Sequence, residues 1–255
     1  MKPFFLGLDC YEAADYPRLL HEPAVRGLVV GDLFCEKRMF ENGRLGLLEA
    51  IDAIAAAGKA IVFQCPVYVT SRNYEDVRFL LQYIRQKHTK TYVIVHDLGM
   101  VHLISQEFSE YVLLWGRMAR FREYVLNRDF LQFLKSNGVT GIELTGGRFR
   151  SLAEQCGLTP YIVFGWGGYA TIGRQCYNQY QGLGCCREDC LNGRYSMHDT
   201  ESSFQMKING YMMGESFSAT GEKMLAEEDT AEQIVYRKTI AEYDRLKEDA
   251  NGSDL

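Results

Sequence analysis

LGLLEAIDAIAAAGKAIVF, residues 45–63, holds one full unit of the pattern that organises this chain. Leu47, Leu48, Ile51 and Ile54 recur at helical spacing over Leu45–Ala57, and Gly58-Lys59 supplies a left-handed helix stop. The apolar run Ala60–Phe63, continuing towards Val69, then reads as a strand. The same unit recurs along the sequence. Strands are expected at Phe4–Leu8, Gly27–Val30, Tyr92–His96, Tyr111–Leu114, Gly141–Leu144, Tyr161–Phe164 and Phe204–Ile208. Tyr74–Arg85 and Arg128–Lys135 carry apolar helical stripes, and Asn137-Gly138 and Gly157 repeat the glycine stop before a strand. Repeated β-then-α predicts a parallel sheet. About eight strands suit a closed or nearly closed, TIM-like (β/α) barrel, with the open doubly wound sheet as the alternative. A barrel absorbs all 255 residues, so 1–255 reads as a single domain. Its expected additions are a cysteine-rich loop over 165–195 and an acidic C-terminal helix, Ala231–Lys247, within about 229–248.

In a parallel barrel the segments after each strand gather at one mouth: Asp32 to Arg38, Gln64 to Pro66, Asp97 to Gly99, Arg117, Thr145 to Arg148 and Gly165 to Gly168. Glu143 lies inside a strand, where a lone carboxylate is costly, so it is either paired or functional. Arg148 is the candidate partner, or a substrate ligand. Arg38, Arg117 and Arg174 follow strands or precede a cysteine, and their guanidinium forks suit a small dicarboxylate; the alternative for each is a surface salt bridge. Asp97 reads either as a substrate contact or as the cap of a Met100–Ile104 helix. His96 and His102 read as packing or capping residues, since no His-Glu-x-x-His pair accompanies them.

Cys176, Cys185, Cys186 and Cys190 fall within fifteen residues of the run Trp166–Arg194, WGGYATIGRQCYNQYQGLGCCREDCLNGR. So short a loop buries no core of its own, whereas thiolates converging on a metal would order it. With no secretion signal at the start, the eight cysteines are expected reduced in a cytoplasm, with metal binding ahead of disulfides. Cys35 follows a strand at the same rim. A set of Cys35, Cys176, one of Cys185 or Cys186, and Cys190 gives the four thiolates of a [4Fe–4S] cluster, with turn geometry favouring Cys186. Zinc is the alternative, but zinc ribbons present two short knuckles and this chain has one Cys186-x₃-Cys190 step. Gly193 stands where the third cysteine of a radical adenosylmethionine motif would fall. Cys10, Cys65 and Cys156 lie in apolar segments as small core residues.

Other classes are disfavoured. A net charge of -5 gives no pull towards nucleic acid, and no apolar run approaches the roughly 20 residues of a membrane span. No G-x-S-x-G elbow follows a strand, and Gly165-Trp166-Gly167-Gly168 lacks the third glycine of a dinucleotide fingerprint.

Cys35-Glu36-Lys37-Arg38, Asp97-Leu98-Gly99, Arg174-x-Cys176, Cys186-x₃-Cys190 and Asn192-Gly193-Arg194, in that order, resemble the collagenase-like peptidase family U32, closest in pattern to its UbiV/UbiU group. The resemblance spans residues 27 to about 210. It implies an α/β barrel with a [4Fe–4S] cluster on Cys35, Cys176, Cys186 and Cys190. It also implies relatives that support oxygen-independent hydroxylation of quinone precursors or RNA bases, with prephenate as oxygen donor in several systems; others were named as peptidases. The expected function is an oxygen-independent hydroxylase, or a subunit of one, acting on a small organic or quinone-precursor substrate. An anionic oxygen donor and a homologous U32 protein as hetero-oligomeric partner complete that expectation. The alternative is a non-catalytic iron–sulfur partner that docks through Tyr211–Phe217 or the C-terminal helix; a peptidase ranks third. The loop between Cys176 and Cys186 is shorter than in the UbiV pattern, and the compact chain disfavours an RNA substrate.

Overall fold

A computed structural model describes residues 2–8, 15–33, 35–36, 39–40, 44–67, 69–117, 126–144, 147–164, 169–172, 194–198, 203–207, 210–212, 229–237, 241 and 243–245. Eight parallel strands close into a barrel. In chain order they are β1 (Phe4–Leu8), β2 (Val25–Gly31), β3 (Ala60–Gln64), β4 (Thr91–Val95), β5 (Val112–Trp115), β6 (Gly141–Leu144), β7 (Thr159–Phe164) and β12 (Glu232–Arg237). The last strand lies between β7 and β1 and pairs in parallel with both. Helices α1 (Asp15–Leu20), α2 (Arg44–Ala56), α3 (Tyr74–Arg85), α4 (Leu98–Glu107), α5 (Arg128–Ser136) and α6 (Arg150–Gln155) connect the first seven strands. No helix among the described residues is long and apolar enough to cross a membrane.

The glycine stops work as the sequence implies. Gly58, Gly138 and Gly157 take φ of +66°, +87° and +72°, the left-handed region open to a residue without Cβ. Each follows a helix and precedes a strand, which turns the chain back through the barrel wall.

Period-2 alternation then sorts the strand residues into two layers. Phe5, Val29, Val62, Ile94, Leu114, Val163 and Ile234 fill the barrel interior, while Phe4, Leu6, Leu28, Ile61, Phe63 and Val93 face the helices. The end where the strands begin is plugged by Arg26. Its guanidinium donates to Glu232 (2.7 Å) and to the Tyr92 hydroxyl (2.8 Å), and lies 5.0 Å from the Phe5 ring centroid. In (β/α) barrels the end where the strands begin serves stability and the opposite, C-terminal end carries the chemistry.

The closing strand departs from the sequence expectation in two ways. Phe204–Lys207 of the expected strand Phe204–Ile208 falls in β10 (Ser203–Lys207), which joins β8 (Tyr169–Ile172), β9 (Arg194–His198) and β11 (Gly210–Met212) in a separate four-stranded antiparallel sheet of order β8-β11-β10-β9 and not in the barrel. The expected helix Ala231–Lys247 opens instead as β12; among the described residues helical conformation begins at Ala241 and includes Tyr243–Arg245. The physical reason is tertiary. Glu-Gln-Ile-Val-Tyr-Arg gains a hydrogen-bonded neighbour on each side, and its start is pinned by Asp229, which takes a two-pronged ion pair from Arg150 (2.6 and 3.0 Å). Lys2 also donates to the Asp229 and Ala231 carbonyls (2.6 and 2.8 Å), so the first strand and the last are locked together.

Candidate functional site

Glu143 is fully buried, on the interior face of β6. Its Oε2 accepts the backbone N–H of Arg117 (2.9 Å), and its Oε1 accepts both the Arg117 Nη1 (2.9 Å) and the Tyr236 hydroxyl (3.2 Å). The Arg117 guanidinium stacks 4.4 Å from the Tyr236 ring centroid. Arg117 comes from just beyond β5 and Tyr236 from β12, so three strands of the wall contribute one knot. A buried carboxylate without a cation would cost several kcal/mol, and this charge-assisted pair offsets that penalty. Burial and the adjacent Glu143 charge push the Tyr236 hydroxyl well above its ordinary range, so it stays protonated and donates. Of the two alternatives for Arg148, partner of Glu143 or substrate ligand, the first is therefore corrected: Arg148 is exposed in the 3₁₀ turn Gly147–Phe149, with its guanidinium 5.3 Å from the Phe149 ring, and Arg117 neutralises Glu143.

The remaining rim is built from the ends of β2, β3 and β4. Gly31 closes β2 at φ +109°, and a Cβ there would fall 2.3 Å from the Gln64 carbonyl oxygen, so only glycine permits this approach of the two strands. Gln64 ends β3 with 3% exposure, and its Nε2 has no acceptor among the described residues. His96 is buried just past β4 with its ring against Gly116. Asp97 caps α4, its Oδ1 accepting the Met100 N–H (2.9 Å), which agrees with the capping alternative; desolvation holds its carboxyl above the usual range. His102 is exposed on α4.

Cys35 sits at this same rim beyond β2. It is buried, with 5% exposure, and its backbone N–H is held by the Oδ1 of buried Asp32 (3.0 Å). Cys65 and Cys156 belong to the outer core, as expected, and burial pushes the Cys65 thiol far up. Cys10, Arg38, Arg174, Cys176, Cys185, Cys186 and Cys190 lie outside the described residues. Among the described residues no three His, Cys, Asp or Glu side chains converge as a metal site, so Cys35 is the one expected ligand whose surroundings are defined. Its chemistry suits a metal or cluster: a thiol, buried, at the strand ends.

In sequence the chain passes from β7 through β8 to the other cysteines. Tyr169 follows Phe164 by five residues, so β8 begins within about 17 Å of the end of β7. The segment holding Cys176 to Cys190 joins β8 to β9, the two opposite edges of the small sheet, a separation of about 14 Å.

One rim residue is not singled out by the sequence: Tyr236 falls inside the expected C-terminal helix. Gln64 heads a segment expected at the mouth, and it continues the inward parity of Ala60 and Val62 at a strand's C-terminal end.

The solved structure of the U32 peptidase Mk0906 superposes on this chain with a TM-score of 0.54 at 12% identity, covering 94% of each chain. The family 30 subfamily 8 glycoside hydrolase Xyn30A, a xylanase from Clostridium acetobutylicum, covers 65% of this chain and 55% of its own, at 10% identity and a TM-score of 0.44. No family model matches the sequence, and no curated protein is significantly similar to it. The first likeness shows the fold: a closed (β/α) barrel of the kind seen in a U32 peptidase.

Proposed function

We propose that this chain is an iron–sulfur protein of the U32 type, and that the C-terminal mouth of its barrel serves oxygen-independent hydroxylation of a small organic or quinone-precursor substrate, as an enzyme or as one subunit of it. The observation that carries the reading is the position of Cys35: a buried thiol at the end of β2, on the rim from which β7 sends the chain towards the cysteines at 176, 186 and 190. Cys35, Cys176, Cys186 and Cys190 would hold a [4Fe–4S] cluster, and zinc is the competing metal. A bound cluster supplies one-electron chemistry, which side chains alone do not.

The chain's own residues have separate tasks in this reading. The apolar layer of Val29, Val62, Ile94 and Leu114 closes the barrel beneath the mouth and keeps water from passing through it. The Arg117–Glu143–Tyr236 knot fixes the inner wall and retains the Tyr236 proton on its oxygen. The Arg117 charge is met by Glu143, which leaves Arg38, Arg148 and Arg174 as the candidates for the anionic oxygen donor in this reading.

A second reading, a non-catalytic partner with a structural cluster, has one observation in its favour: both Glu143 oxygens are occupied by internal donors, so this carboxylate is engaged in holding the wall. Anaerobic assay separates the two. Purified chain is incubated with a phenolic quinone precursor and prephenate, with and without a homologue that copurifies with it. Hydroxylated product from the chain alone supports an enzyme, and product only with the homologue supports a subunit. Peptide cleavage without hydroxylation would overturn the proposal.

A further inference from the structure

Gln64 is the last residue of β3 and lies on the strand face that carries Ala60 and Val62 into the barrel interior. Its side chain is 97% removed from solvent, yet its amide nitrogen meets no acceptor among the described residues. A buried amide donor without a partner lowers stability, so its retention at a strand's C-terminal end points to a partner that arrives from outside. The neighbouring register position is Gly31, which is exposed and carries no side chain to cover the end of β3 from that strand.

The charges at the rim restrict what can arrive. Asp32, Asp97 and Glu143 are acidic, and the Arg117 charge is matched by Glu143, so these four rim groups offer a carboxylate no surplus cation. An anion brought against Gln64 would lose its hydration without a compensating charge. An uncharged oxygen acceptor carries no such penalty.

We propose that Gln64 is the specificity-determining residue of a ligand site at the C-terminal mouth, its amide N–H donating to an uncharged carbonyl oxygen of a small organic molecule whose apolar body faces the Val29, Val62 and Ile94 layer. The proposal rests on the reading of this mouth as the working end, but it does not depend on the cluster. Gln64 recognises the neutral substrate in this reading.

The test compares benzamide with benzoate, which share a ring and differ in charge, by saturation-transfer NMR on the full-length protein purified anaerobically. Gln64→Met keeps the length of the side chain and removes the donor. It should melt at or above the wild-type temperature, because a buried unsatisfied group is gone, and should weaken benzamide binding about tenfold while leaving benzoate unaffected. A lower melting temperature for Gln64→Met would show that the amide is already bonded within the fold and overturns the proposal. So does the absence of benzamide binding to the wild type, or an equal effect of the substitution on both probes. Iron content measured on the same samples keeps the two readings apart: benzamide selectivity in iron-free protein supports this site and counts against the cluster, whereas iron-replete protein indifferent to benzamide does the reverse.

Discussion

The His96 ring occupies the space that a side chain at Gly116 would need: a Cβ at position 116 would fall 2.0 Å from Cε1 and 2.3 Å from Nδ1 of the imidazole. The Gly116 N–H is fixed by the Val95 carbonyl (2.7 Å), so the backbone has little room to retreat. Two adjacent strand ends thus meet through an imidazole lying on a glycine, at the position where β5 hands over to Arg117.

Gly116→Ala should therefore displace His96 and disturb Arg117, its next neighbour in sequence. A loss of about 1–3 kcal/mol is expected from overpacking, read by urea denaturation. Unchanged stability would mean that the strand ends yield freely and that the His96 position is not fixed by Gly116.

The Glu143–Arg117 pair should behave as a unit. Glu143→Leu or Arg117→Met alone leaves a buried charge uncompensated and should cost about 3–5 kcal/mol, whereas the double variant should cost much less than the sum. Tyr236→Phe removes a hydrogen bond to a charged group and should cost about 1.5–3 kcal/mol. Strict additivity in the denaturation midpoints would show that the pair is not coupled.

Most of the barrel could be read from local pattern because strand parity and glycine stops are local properties. Phe4–Leu8 and Gly141–Leu144 match the expected strands residue for residue, and five others differ only at their ends. The closing strand could not be read this way. Glu232–Arg237 is flanked by charged, helix-favouring sequence, and its strand conformation comes from pairing with β1 and β7, which are distant in sequence. The site shows the same division. That Glu143 needed a partner followed from its place in a strand, but the choice of Arg117 over Arg148 depended on β5 and β6 being neighbours, with Arg117 just past the end of β5 and its backbone N–H within reach of the carboxylate. Sequence proximity pointed to the wrong arginine.

Asp97 provides a pH test. Burial raises its carboxyl above the ordinary range more than its bonds to the Met100 and Gly99 backbone lower it. The folded chain therefore holds this proton more tightly than the unfolded chain does. Stability from this group is greatest below the unfolded value, near 3.8, and falls as pH rises from there through the elevated folded value. Asp97→Asn keeps a capping oxygen for Met100 without the charge. It should be more stable than wild type at pH 7, with the advantage closing as pH drops towards about 4. A stability difference independent of pH, or one of opposite sign, would contradict this account of the cap.

The central claim is that thiolates from two distant parts of the chain meet at one rim around iron and sulfide, and metal analysis of Cys35→Ala tests it most directly. Wild-type protein purified without oxygen should contain about four iron and four sulfide per chain, with the absorbance of a [4Fe–4S] cluster. Cys35→Ala should lose most of both, because a methyl group provides no ligand, while Cys65→Ala, in the outer core, should retain them. Wild-type protein containing zinc without sulfide, or a complete cluster surviving in Cys35→Ala, would contradict the account.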